Sequence, residues 1–469
     1  MYTKVSDMKK LLALLEKLKF TKTQMIALGF LCPILVGALL LMLPISSADG
    51  TVTPFIDSLF MSATSVCVTG LVTVPVYLHW SLFGKVVILI LIQLGGLGVV
   101  AIMTMLLIAI GKRITLKERM LIQEAYNLDT LAGMVKMIIR IVKGTFIVET
   151  AGAVCFAFVF VPQYGFLRGV FYSVFHSVSA FCNAGIDLIG IDSFVPYVSN
   201  PIVNLTTMLL IVSGGIGFTV WWDLIRVGKD AKTGEIAPRQ MWSRLMLHSK
   251  LAVSVTLLLI FVPAVLYFIF EYHNPQTLGE LGTGSKLMAS LFQSVTTRTA
   301  GFCTIPQGEL KDSSTLLTLI LMFVGGSPAG TAGGVKTTTV AMILMSVMCF
   351  VRGKRDTEMF GRRVPADNVR TGLAVLTISL LVVFTNIMLL LLTDGAEFRD
   401  TIFEVVTAIG TVGLSRGLTP DLTFWGKLII IVTMYIGRIG PITMVLAFGV
   451  RRQTKGDNRE LPEKRILVG

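Results

Sequence analysis

Charged residues are scarce in this chain of 469 residues, where Asp, Glu, Lys and Arg together make up 15% of the sequence. In an average soluble protein about a quarter of the residues are charged. Hydrophobic residues make up 54% of the chain, and its mean hydropathy is +0.77. The composition therefore excludes an ordinary soluble protein and predicts an integral membrane protein.

Cysteine pairs and the short motifs of common enzymes are also missing. The six cysteines include no Cys-x-x-Cys pair, so the sequence predicts neither a disulfide framework nor a cysteine-based metal site. No His-Glu-x-x-His, Gly-x-Ser-x-Gly, P-loop or dinucleotide-binding glycine pattern is present. We therefore expect this chain not to be an enzyme, to have no catalytic residues and to hold no cofactor itself.

Basic residues exceed acidic ones, and the net charge is +13. None of the basic residues lies between positions 45 and 80, and only Arg168 lies between 162 and 200. They cluster instead in alternate segments: 1–25, 112–143, 226–250, 352–370 and 451 onward. This alternation predicts a plasma-membrane protein with both ends in the cytoplasm. It argues against nucleic acid as a partner, while a protein docking surface and anionic membrane lipids explain the charge equally well.

Residues 1–22 resemble a signal peptide only superficially. Lysine and glutamate interrupt their apolar part, and no cleavage site of small residues follows. We expect an amphipathic cytoplasmic segment here.

One glycine-centred segment occurs four times along the chain. The central glycines are 112 to 116 residues apart, and a second glycine cluster follows each of them after 24 to 29 residues. The first set reads Val68-Thr69-Gly70, Asn183-Ala184-Gly185, Thr299-Ala300-Gly301 and Thr411-Val412-Gly413. The second set reads Gly95-Gly96-Leu97-Gly98, Gly214-Gly215-Ile216-Gly217, Gly325-Gly326 and Gly437-Arg438-Ile439-Gly440. A fixed period predicts one structural unit repeated four times, and four units can surround an axis.

Eight apolar runs are long enough to cross a membrane, which takes roughly 20 residues in a helix. They cover residues 23–44, 82–110, 138–161, 202–226, 246–270, 314–350, 371–393 and 425–450. Between the two runs of each unit lie a half-length helical pattern and a glycine segment, which we expect to enter the membrane and return. The predicted fold is an all-α integral membrane protein with eight transmembrane helices and four re-entrant loops around one pseudo-fourfold pore. Its four units are 23–113, 137–228, 244–351 and 370–451, with cytoplasmic segments 114–136, 229–243, 352–369 and 452–469.

The four glycine segments have the properties of an ion-selective constriction. Non-helical backbone survives at membrane depth only inside protein or beside a water-filled cavity, so the segments are expected to face a common axis. Glycine lets the backbone approach a ligand closely. Backbone carbonyls there can replace part of a cation's hydration shell, and the C-terminal ends of the short helices add negative potential. The alternative is that these glycines only allow close helix packing, which four copies in register disfavour.

With these segments, the whole chain resembles the superfamily of potassium transporters of the Trk/Ktr/HKT type, and within it the bacterial Ktr-type membrane subunits. In this superfamily one polypeptide repeats the M1–P–M2 plan of a potassium channel four times. The resemblance implies potassium uptake, stimulated by sodium in several relatives, with K⁺ bound at the four filter glycines. Glycine at position 70 favours potassium, because the plant branch with serine there prefers sodium. One glycine per unit, instead of the longer TVGYG sequence of potassium channels, implies moderate selectivity.

The resemblance also implies partners and a form of regulation. We expect a homodimer on a cytoplasmic, KtrA-like ring of RCK-type regulatory subunits, with ATP or ADP acting only through that ring. Two alternatives within transport are a proton-coupled Trk-type symporter and a relative that carries sodium. A membrane enzyme and a non-conducting receptor belong to other classes. The first is disfavoured by the lack of a nucleophile–base cluster, and the second by the fourfold repetition.

The third inner helix is predicted to be interrupted, because five glycines and one proline fall within ten residues. The predicted loop consists of Gly325, Gly326, Ser327, Pro328, Ala329, Gly330, Thr331, Ala332, Gly333 and Gly334. Since only this unit carries such an interruption, a gate is favoured over a packing kink, and the resemblance implies the same.

Arg438 stands where the other units have glycine. A charged residue at membrane depth is expected to face a cavity or a partner and to have a function. We therefore assign Arg438 to the predicted gate, where it would raise an electrostatic barrier. A snorkelling or dimer-facing arginine is the alternative.

Other charged residues carry weaker signals. Glu149 is either a coupling-ion site or, more simply, a hydrogen-bonded packing acid near one helix end. Four acids on the predicted outer side either raise the local cation concentration or are solvated loop residues: Asp187, Asp192, Glu397 and Asp421. His176 and Glu404 occupy corresponding positions in two of the short helices and have no catalytic companion.

Overall fold

The computed structural model describes residues 21–110, 114–126, 133–190 and 192–448. Almost all of the predicted cytoplasmic N-terminal segment and the whole predicted tail lie outside the described residues. The helices of the first half are α1 Lys22–Leu41, α2 Phe55–Cys67, α3 Leu82–Leu97, α4 Val99–Ala109, α5 Leu116–Tyr126, α6 Met134–Tyr164, α7 Phe166–Phe181, α8 Pro201–Gly215 and α9 Phe218–Lys232. Those of the second half are α10 Leu247–Glu271, α11 Thr283–Thr296, α12 Asp312–Phe323, α13 Thr337–Val351, α14 Ala366–Asp394, α15 Phe398–Gly410, α16 Phe424–Ile439 and α17 Pro441–Phe448.

Shorter elements lie in the connections. Single helical turns occur at Pro44–Ser46, Val76–His79, Val195–Tyr197, Pro238–Gln240, Met241–Arg244, Pro275–Gly279 and Thr419–Asp421. One antiparallel hairpin joins β1 Glu358–Met359 to β2 Arg362–Arg363, with Glu358 opposite Arg363. We call α1, α6, α10 and α14 the outer helices, and α2, α7, α11 and α15 the short helices. The inner helices follow the short helices, and each has two parts: α3 and α4, α8 and α9, α12 and α13, and α16 and α17.

Polar residues start several of these helices. Thr21 forms a capping box at the start of α1, where its hydroxyl and backbone exchange hydrogen bonds with Gln24. Ser81 and Thr423 cap α3 and α16, and each side chain accepts a hydrogen bond from an N–H group in the first turn. The inner helices of the first and last groups therefore begin with the same local structure.

Four helices in the described part of the chain are long and apolar enough to cross a membrane alone: α1, α6, α10 and α14. Three helix pairs reach that length only together: α3 with α4, α8 with α9, and α16 with α17. Each pair is bent by 98°. This number of long apolar helices fits the multi-pass membrane protein predicted from the composition.

The inner helices of the first, second and fourth groups are not continuous, which corrects the prediction. Each breaks at the last glycine of its second cluster, with φ angles of 84°, 96° and 97° at Gly98, Gly217 and Gly440. Only glycine adopts such angles without strain. Hydropathy does not detect a hinge of one residue, because the sequence on both sides of it is apolar.

The third inner helix is interrupted as predicted, by a loop of residues 324–336 between α12 and α13. The premise that only this inner helix is broken was wrong, since all four are interrupted. The third differs in kind: it has a folded loop where the others have a single glycine hinge. A distinct role for the loop therefore depends on its contacts rather than on the mere presence of a break.

The four groups of helices close into a ring. Each inner helix packs against the short helix of the next group: α3 on α7, α8 on α11, α12 on α15, and α16 back on α2. An ion pair strengthens the last contact, with 2.7 Å between Lys427 Nζ and Asp57 Oδ1. Gln24 of α1 also donates a hydrogen bond of 2.9 Å to the carbonyl of Ala447 in α17. The cyclic order is the one expected of four similar units around an axis.

The first glycine of three second clusters lies against the C-terminal turn of a short helix. A Cβ atom added at Gly95, Gly214 or Gly437 would lie 1.9 to 2.2 Å from a backbone carbonyl oxygen of that turn. Such distances are far inside van der Waals contact, so only glycine allows the two helices to approach this closely. The sequence revealed the glycine clusters but not this contact.

Gly214 offers a direct test, because an added Cβ would lie 1.9 Å from the carbonyl oxygen of Phe181. We expect Gly214→Ala to destabilise the protein by about 1–3 kcal/mol through overpacking. Gly228 on α9 is the matched control, since nothing lies within 4 Å of its added Cβ. Thermal unfolding of both variants in one detergent gives the comparison. Equal midpoints would contradict the close approach of α8 to α7.

Candidate ion pathway

The four glycine segments meet around one cavity. Gly70, Gly185, Gly301 and Gly413 all line a cavity of about 280 Å³. A Cβ added at any of them would lie 2.1 to 2.6 Å from a carbonyl oxygen of the next unit. These neighbours follow in cyclic order: Gly70 is beside Ala184, Gly185 beside Ala300, Gly301 beside Val412, and Gly413 beside Thr69. The glycines and the carbonyls before them therefore form a closed ring.

The backbone follows the same path in all four segments. Two residues before each glycine, Val68, Asn183, Thr299 and Thr411 have φ angles of 50° to 65°. The four glycines have φ angles of 65° to 102°, and the residues between do not have positive φ. Positive φ is uncommon outside glycine, so its occurrence at one position in four segments indicates a shared and demanding conformation. The alternation turns successive peptide groups, which allows their carbonyls to face the common axis.

Each short helix ends one to three residues before the positive-φ residue of its segment. The partial negative charge at the C-terminus of each helix therefore lies close to the ring. The eight residues before the glycines are buried, at most 1% exposed: Val68, Thr69, Asn183, Ala184, Thr299, Ala300, Thr411 and Val412. At the ring only the glycines among these predicted residues line the cavity.

A row of hydroxyl groups holds the segments from behind, and sequence reasoning missed it. Thr64 Oγ1 accepts a hydrogen bond of 3.0 Å from the N–H of Gly70, and Thr407 Oγ1 accepts one of 3.1 Å from the N–H of Gly413. In the second unit, Ser179 Oγ accepts the N–H of Ile186 at 3.1 Å. Thr296 donates to the carbonyl of Phe302 in the third unit. The signal was a hydroxyl residue five or six positions before each glycine.

Among the four predicted outer acids, only Asp187 lines the cavity. Asp192, Glu397 and Asp421 are exposed and do not line the cavity, which is the arrangement of ordinary loop acids. Burial raises the pKa of Asp187 to about 6, against the opposing effect of hydrogen bonds such as that from the N–H of Ile189 at 3.2 Å.

The loop 324–336 is folded back on itself and bound to the second hinge. The two ends of the loop are joined by a hydrogen bond of 2.8 Å from the N–H of Gly325 to the carbonyl of Val335. The N–H groups of Ser327 and Thr331 donate to carbonyls at the end of α8 at 2.9 and 3.1 Å. In return, Phe218 of α9 donates to the carbonyl of Ala329 at 2.8 Å. The loop thus satisfies its backbone groups through its neighbours, as polar backbone at membrane depth requires.

The same loop lies directly against the glycine segments. The hydroxyl of Thr331 donates to the carbonyl of Phe181, at the end of α7, at 3.1 Å. A Cβ added at Gly333 would lie 2.2 Å from Thr411 Oγ1. The predicted loop therefore reaches the second and fourth glycine segments through Thr331, Gly333 and Gly334.

Two basic side chains bind three consecutive carbonyls of this loop. Arg438, half-buried, donates to the carbonyl of Thr331 and, on its other side, to that of Gly95 in α3. Lys336 Nζ donates to the carbonyl of Ala332 at 2.8 Å and also reaches that of Gly333 at 3.5 Å. Arg438 therefore connects the loop to the first inner helix. The sequence predicted Arg438 beside the loop but did not single out Lys336.

Glu149 lies in the middle of α6 rather than near its end. Its carboxylate is 4% exposed and accepts a hydrogen bond of 3.3 Å from Gln93 Nε2. Cys182 Sγ lies 3.9 Å from its other oxygen. These contacts fit the packing-acid interpretation. In the described part of the chain, no group of three or more His, Cys, Asp or Glu side chains is arranged to hold a metal ion.

Comparison with known proteins agrees with this geometry. The family model described as "TrkH: Cation transport protein" matches residues 20–455. The chain belongs to the TrkH family. Among the relatives of this TrkH-family chain, "Ktr system potassium uptake protein B" of Bacillus subtilis (strain 168) is 42% identical, over 96% of this chain and 97% of the relative. "Potassium/sodium uptake protein NtpJ" of Enterococcus hirae is 38% identical, over 96% of this chain and 98% of the relative.

The fold is also similar to a solved TrkH structure. The crystal structure of the potassium transporter TrkH from Vibrio parahaemolyticus superposes with a TM-score of 0.66 at 18% identity, over 90% of this chain and 84% of that one. The family resemblance is thus confirmed, and with it a helical, TrkH-like membrane fold.

If cations enter through this cavity, we expect Asp187 to make their entry sensitive to pH. Its carboxylate is charged well above pH 6 and becomes protonated as the pH falls through about 6, so the negative potential of the cavity should weaken on acidification. We expect cation flux into liposomes to fall a few-fold, roughly 2- to 5-fold, between pH 7.5 and 5. Asp187→Asn should remove most of this dependence, while Asp421→Asn should retain it. Identical pH profiles for the wild type and D187N would contradict the role of this carboxylate.

Proposed function

We propose that this chain is the pore-forming membrane subunit of a potassium uptake system of the Ktr type. The observation that carries the proposal is the closed ring in which each of the four glycines lies beside a carbonyl oxygen of the next unit. Relatives that match over nearly the whole chain are named as potassium uptake proteins, which supports potassium as the transported ion.

In the proposed filter, K⁺ exchanges part of its hydration shell for backbone carbonyls of the four segments. The filter residues are those of the sequence prediction: 68–70, 183–185, 299–301 and 411–413. The C-termini of the short helices favour a cation at the ring. The membrane potential supplies about 2.3 kcal/mol per charge for each 100 mV, which is enough to concentrate K⁺ without ATP hydrolysis by this chain.

The proposed topology has eight spans in four M1–P–M2 units. The four outer helices and the three bent pairs give seven spans by length and composition. The eighth would consist of α12 and α13, which the loop 324–336 separates. The positive-inside pattern supports cytoplasmic chain ends in the plasma membrane.

The proposed gate is the loop 325–334 together with Arg438. The loop lies against the proposed filter and is held by the hinge of the second inner helix. Arg438 fixes it to the first inner helix and adds positive charge to a cation pathway. A movement of either inner helix at its glycine hinge would therefore pull on the loop, and this links helix motion to opening.

The proposed partner is a cytoplasmic RCK-type ring, with the subunit itself a homodimer and ATP or ADP acting only through the ring. A relative named as protein B of a Ktr system supports a system of several subunits. The basic segments 226–232 and 352–363 offer a docking surface, next to which Trp242 and Phe360 are 45% and 50% exposed with their rings 6.4 Å apart. Anionic membrane lipids would bind the same charges.

A second candidate function is transport in which Na⁺ is carried or coupled, rather than only stimulating the uptake of K⁺. The relative named as a potassium/sodium uptake protein favours it, and the buried Glu149 is its candidate site. Flux of K⁺, Rb⁺ and Na⁺ into liposomes under an imposed potential separates the two. Selective K⁺ and Rb⁺ flux without an ion gradient supports the channel-like pore, whereas a requirement for a sodium or proton gradient supports the coupled alternative.

The filter is tested by Gly185→Asp and Gly413→Asp. Each adds a charged side chain where a Cβ alone would lie 2.1 to 2.5 Å from backbone atoms, so we expect K⁺ flux to be abolished in inserted protein. Gly282→Asp is the control, because Gly282 has nothing within 4 Å of an added Cβ and stands at the start of α11, where aspartate is a good cap. Normal flux in either filter variant would rule out a pore at this ring.

The gate is tested by Arg438→Ala in the isolated subunit. Loss of the bonds to the carbonyls of Thr331 and Gly95 should release the loop and remove a positive charge, so K⁺ flux should rise several-fold, by about 3- to 10-fold. Arg370→Ala removes an equal charge from a side chain that is 83% exposed and should leave flux unchanged. A fall in flux in R438A would mean that the arginine supports the structure of the pathway instead.

A further inference from the structure

One position recurs in all four short helices directly after a buried phenylalanine. The residues there are Met61, His176, Gln293 and Glu404. All four are at most 1% exposed, although three of them are polar. A polar side chain buried at membrane depth requires hydrogen-bond partners. In each of the three polar cases the partner lies in the segment that follows the ring glycine of the same unit.

In the fourth unit, Glu404 binds two hydroxyl groups of the segment after Gly413. Ser415 Oγ lies 3.1 Å from its Oε2 atom, and Thr419 donates to Oε1. Ser415 in turn accepts the N–H of Gly417 at 3.0 Å. Ser415 and Thr419 both line the cavity outside the ring. The carboxylate therefore connects the short helix α15 to the wall of the cavity.

In the second unit, His176 makes the same connection with an imidazole. Its Nε2 lies 3.2 Å from the N–H of Leu188, and its Nδ1 lies 2.7 Å from the carbonyl of Tyr172. The partners assign the neutral tautomer, with the proton on Nδ1. The rings of Phe160 and Phe194 lie 5.2 and 5.5 Å away and hold the imidazole in place. Leu188 follows Gly185 by three residues, so this contact also reaches just past the ring.

In the third unit the connection is a reciprocal amide pair. Gln293 Nε2 donates to Gln307 Oε1 at 2.7 Å, and Gln307 Nε2 donates to Gln293 Oε1 at 3.0 Å. The carbonyl of Gln307 accepts a hydrogen bond of 3.0 Å from Arg416, which also forms an ion pair of 2.6 Å with Asp400. The contacts of the third and fourth units are therefore linked across the cavity wall.

In the first unit the position is Met61, which has no hydrogen-bonding hydrogen to donate and only a weak sulfur acceptor. Residues 71–76, which follow its ring glycine, all line the cavity. The first unit therefore provides a natural comparison, with the same backbone plan and without the polar contact.

We propose that His176, Gln293 and Glu404 are positioning residues that set the K⁺ over Na⁺ preference of the outer mouth. They do so by fixing the segments after the ring glycines to the short helices. A ring of carbonyls discriminates between ions of different size or hydration only if the distances between its members are held or its field strength is constant. The hydroxyl row described above binds each segment at the ring glycine or one residue after it, and these three side chains bind it two to six residues after the glycine. This inference depends on the filter proposed for the four glycines.

The experiment compares Glu404→Leu with Glu404→Gln in liposomes, with K⁺ and Na⁺ flux measured on the same preparation and normalised to inserted protein. Leucine removes both hydrogen bonds, whereas glutamine removes the charge, keeps one bond through its amide oxygen and replaces the other by donating its amide N–H to a hydroxyl oxygen. We expect E404L to lower the K⁺/Na⁺ flux ratio by roughly fivefold or more, and E404Q to stay within about twofold of the wild type. Met61→Leu, at the equivalent position without a polar contact, should leave the ratio unchanged.

A second variant keeps the proposal testable if E404L fails to insert. Ser415→Ala with Thr419→Val retains Glu404 and removes both hydroxyl donors, so the same fall in the ratio is expected. An unchanged ratio in every variant would overturn the proposal, and so would equal losses in E404L and E404Q, since the effect would then come from charge. Abolished flux in G185D together with an unchanged ratio in E404L would reject only this inference. Normal flux in G185D would reject the filter itself.

Discussion

Four backbone segments approach one axis so closely that a side chain at the ring has no room, and the rest of the structure follows from this constraint. An added Cβ at any ring glycine would overlap a carbonyl oxygen of the next unit. Each segment must therefore be held to its own short helix, by a hydroxyl group from behind. Each short helix must in turn be packed by the inner helix of the preceding group. The first glycines of three second clusters, Gly95, Gly214 and Gly437, also let each of those inner helices lie against the end of the short helix of its own group.

The inner helices also depart from fourfold symmetry. Three inner helices turn at one glycine, while the third becomes a loop whose backbone bonds go to the second hinge. Arg438 binds that loop and the first inner helix at once. The loop thus contacts the second unit and, at Thr411, which lies next to Gly333, the fourth unit, while Arg438 connects it to the first. Because Arg438 binds carbonyls of two different elements, its role includes holding them together as well as adding positive charge.

Much of this structure was predictable from the sequence, because a close approach of backbone segments requires glycine and glycine is visible in the sequence. The four ring glycines, the interrupted third helix and Arg438 were all found by comparing the repeats with one another. The hinges at Gly98, Gly217 and Gly440 were not, since a bend of one residue leaves the apolar run intact. The hydroxyl row was visible as Thr64, Ser179, Thr296 and Thr407 but had no assigned role, because serine and threonine are common in helices of every kind. Contacts such as Glu404 with Thr419 join residues fifteen positions apart in sequence, and no pattern in the sequence pairs them.

The first and last groups of helices are in contact with each other. Gln24 in α1 touches Ala447 in α17, and Tyr435 in α16 donates a hydrogen bond of 2.6 Å to the carbonyl of Ala27. The two ends of the described chain are therefore neighbours, and the ring has no structurally privileged starting point. A circularly permuted gene that joined these ends and opened the connection between α9 and α10 would keep every helix contact of the ring. The order in which the four groups follow one another around the ring would be the same in such a permuted chain as in the natural one.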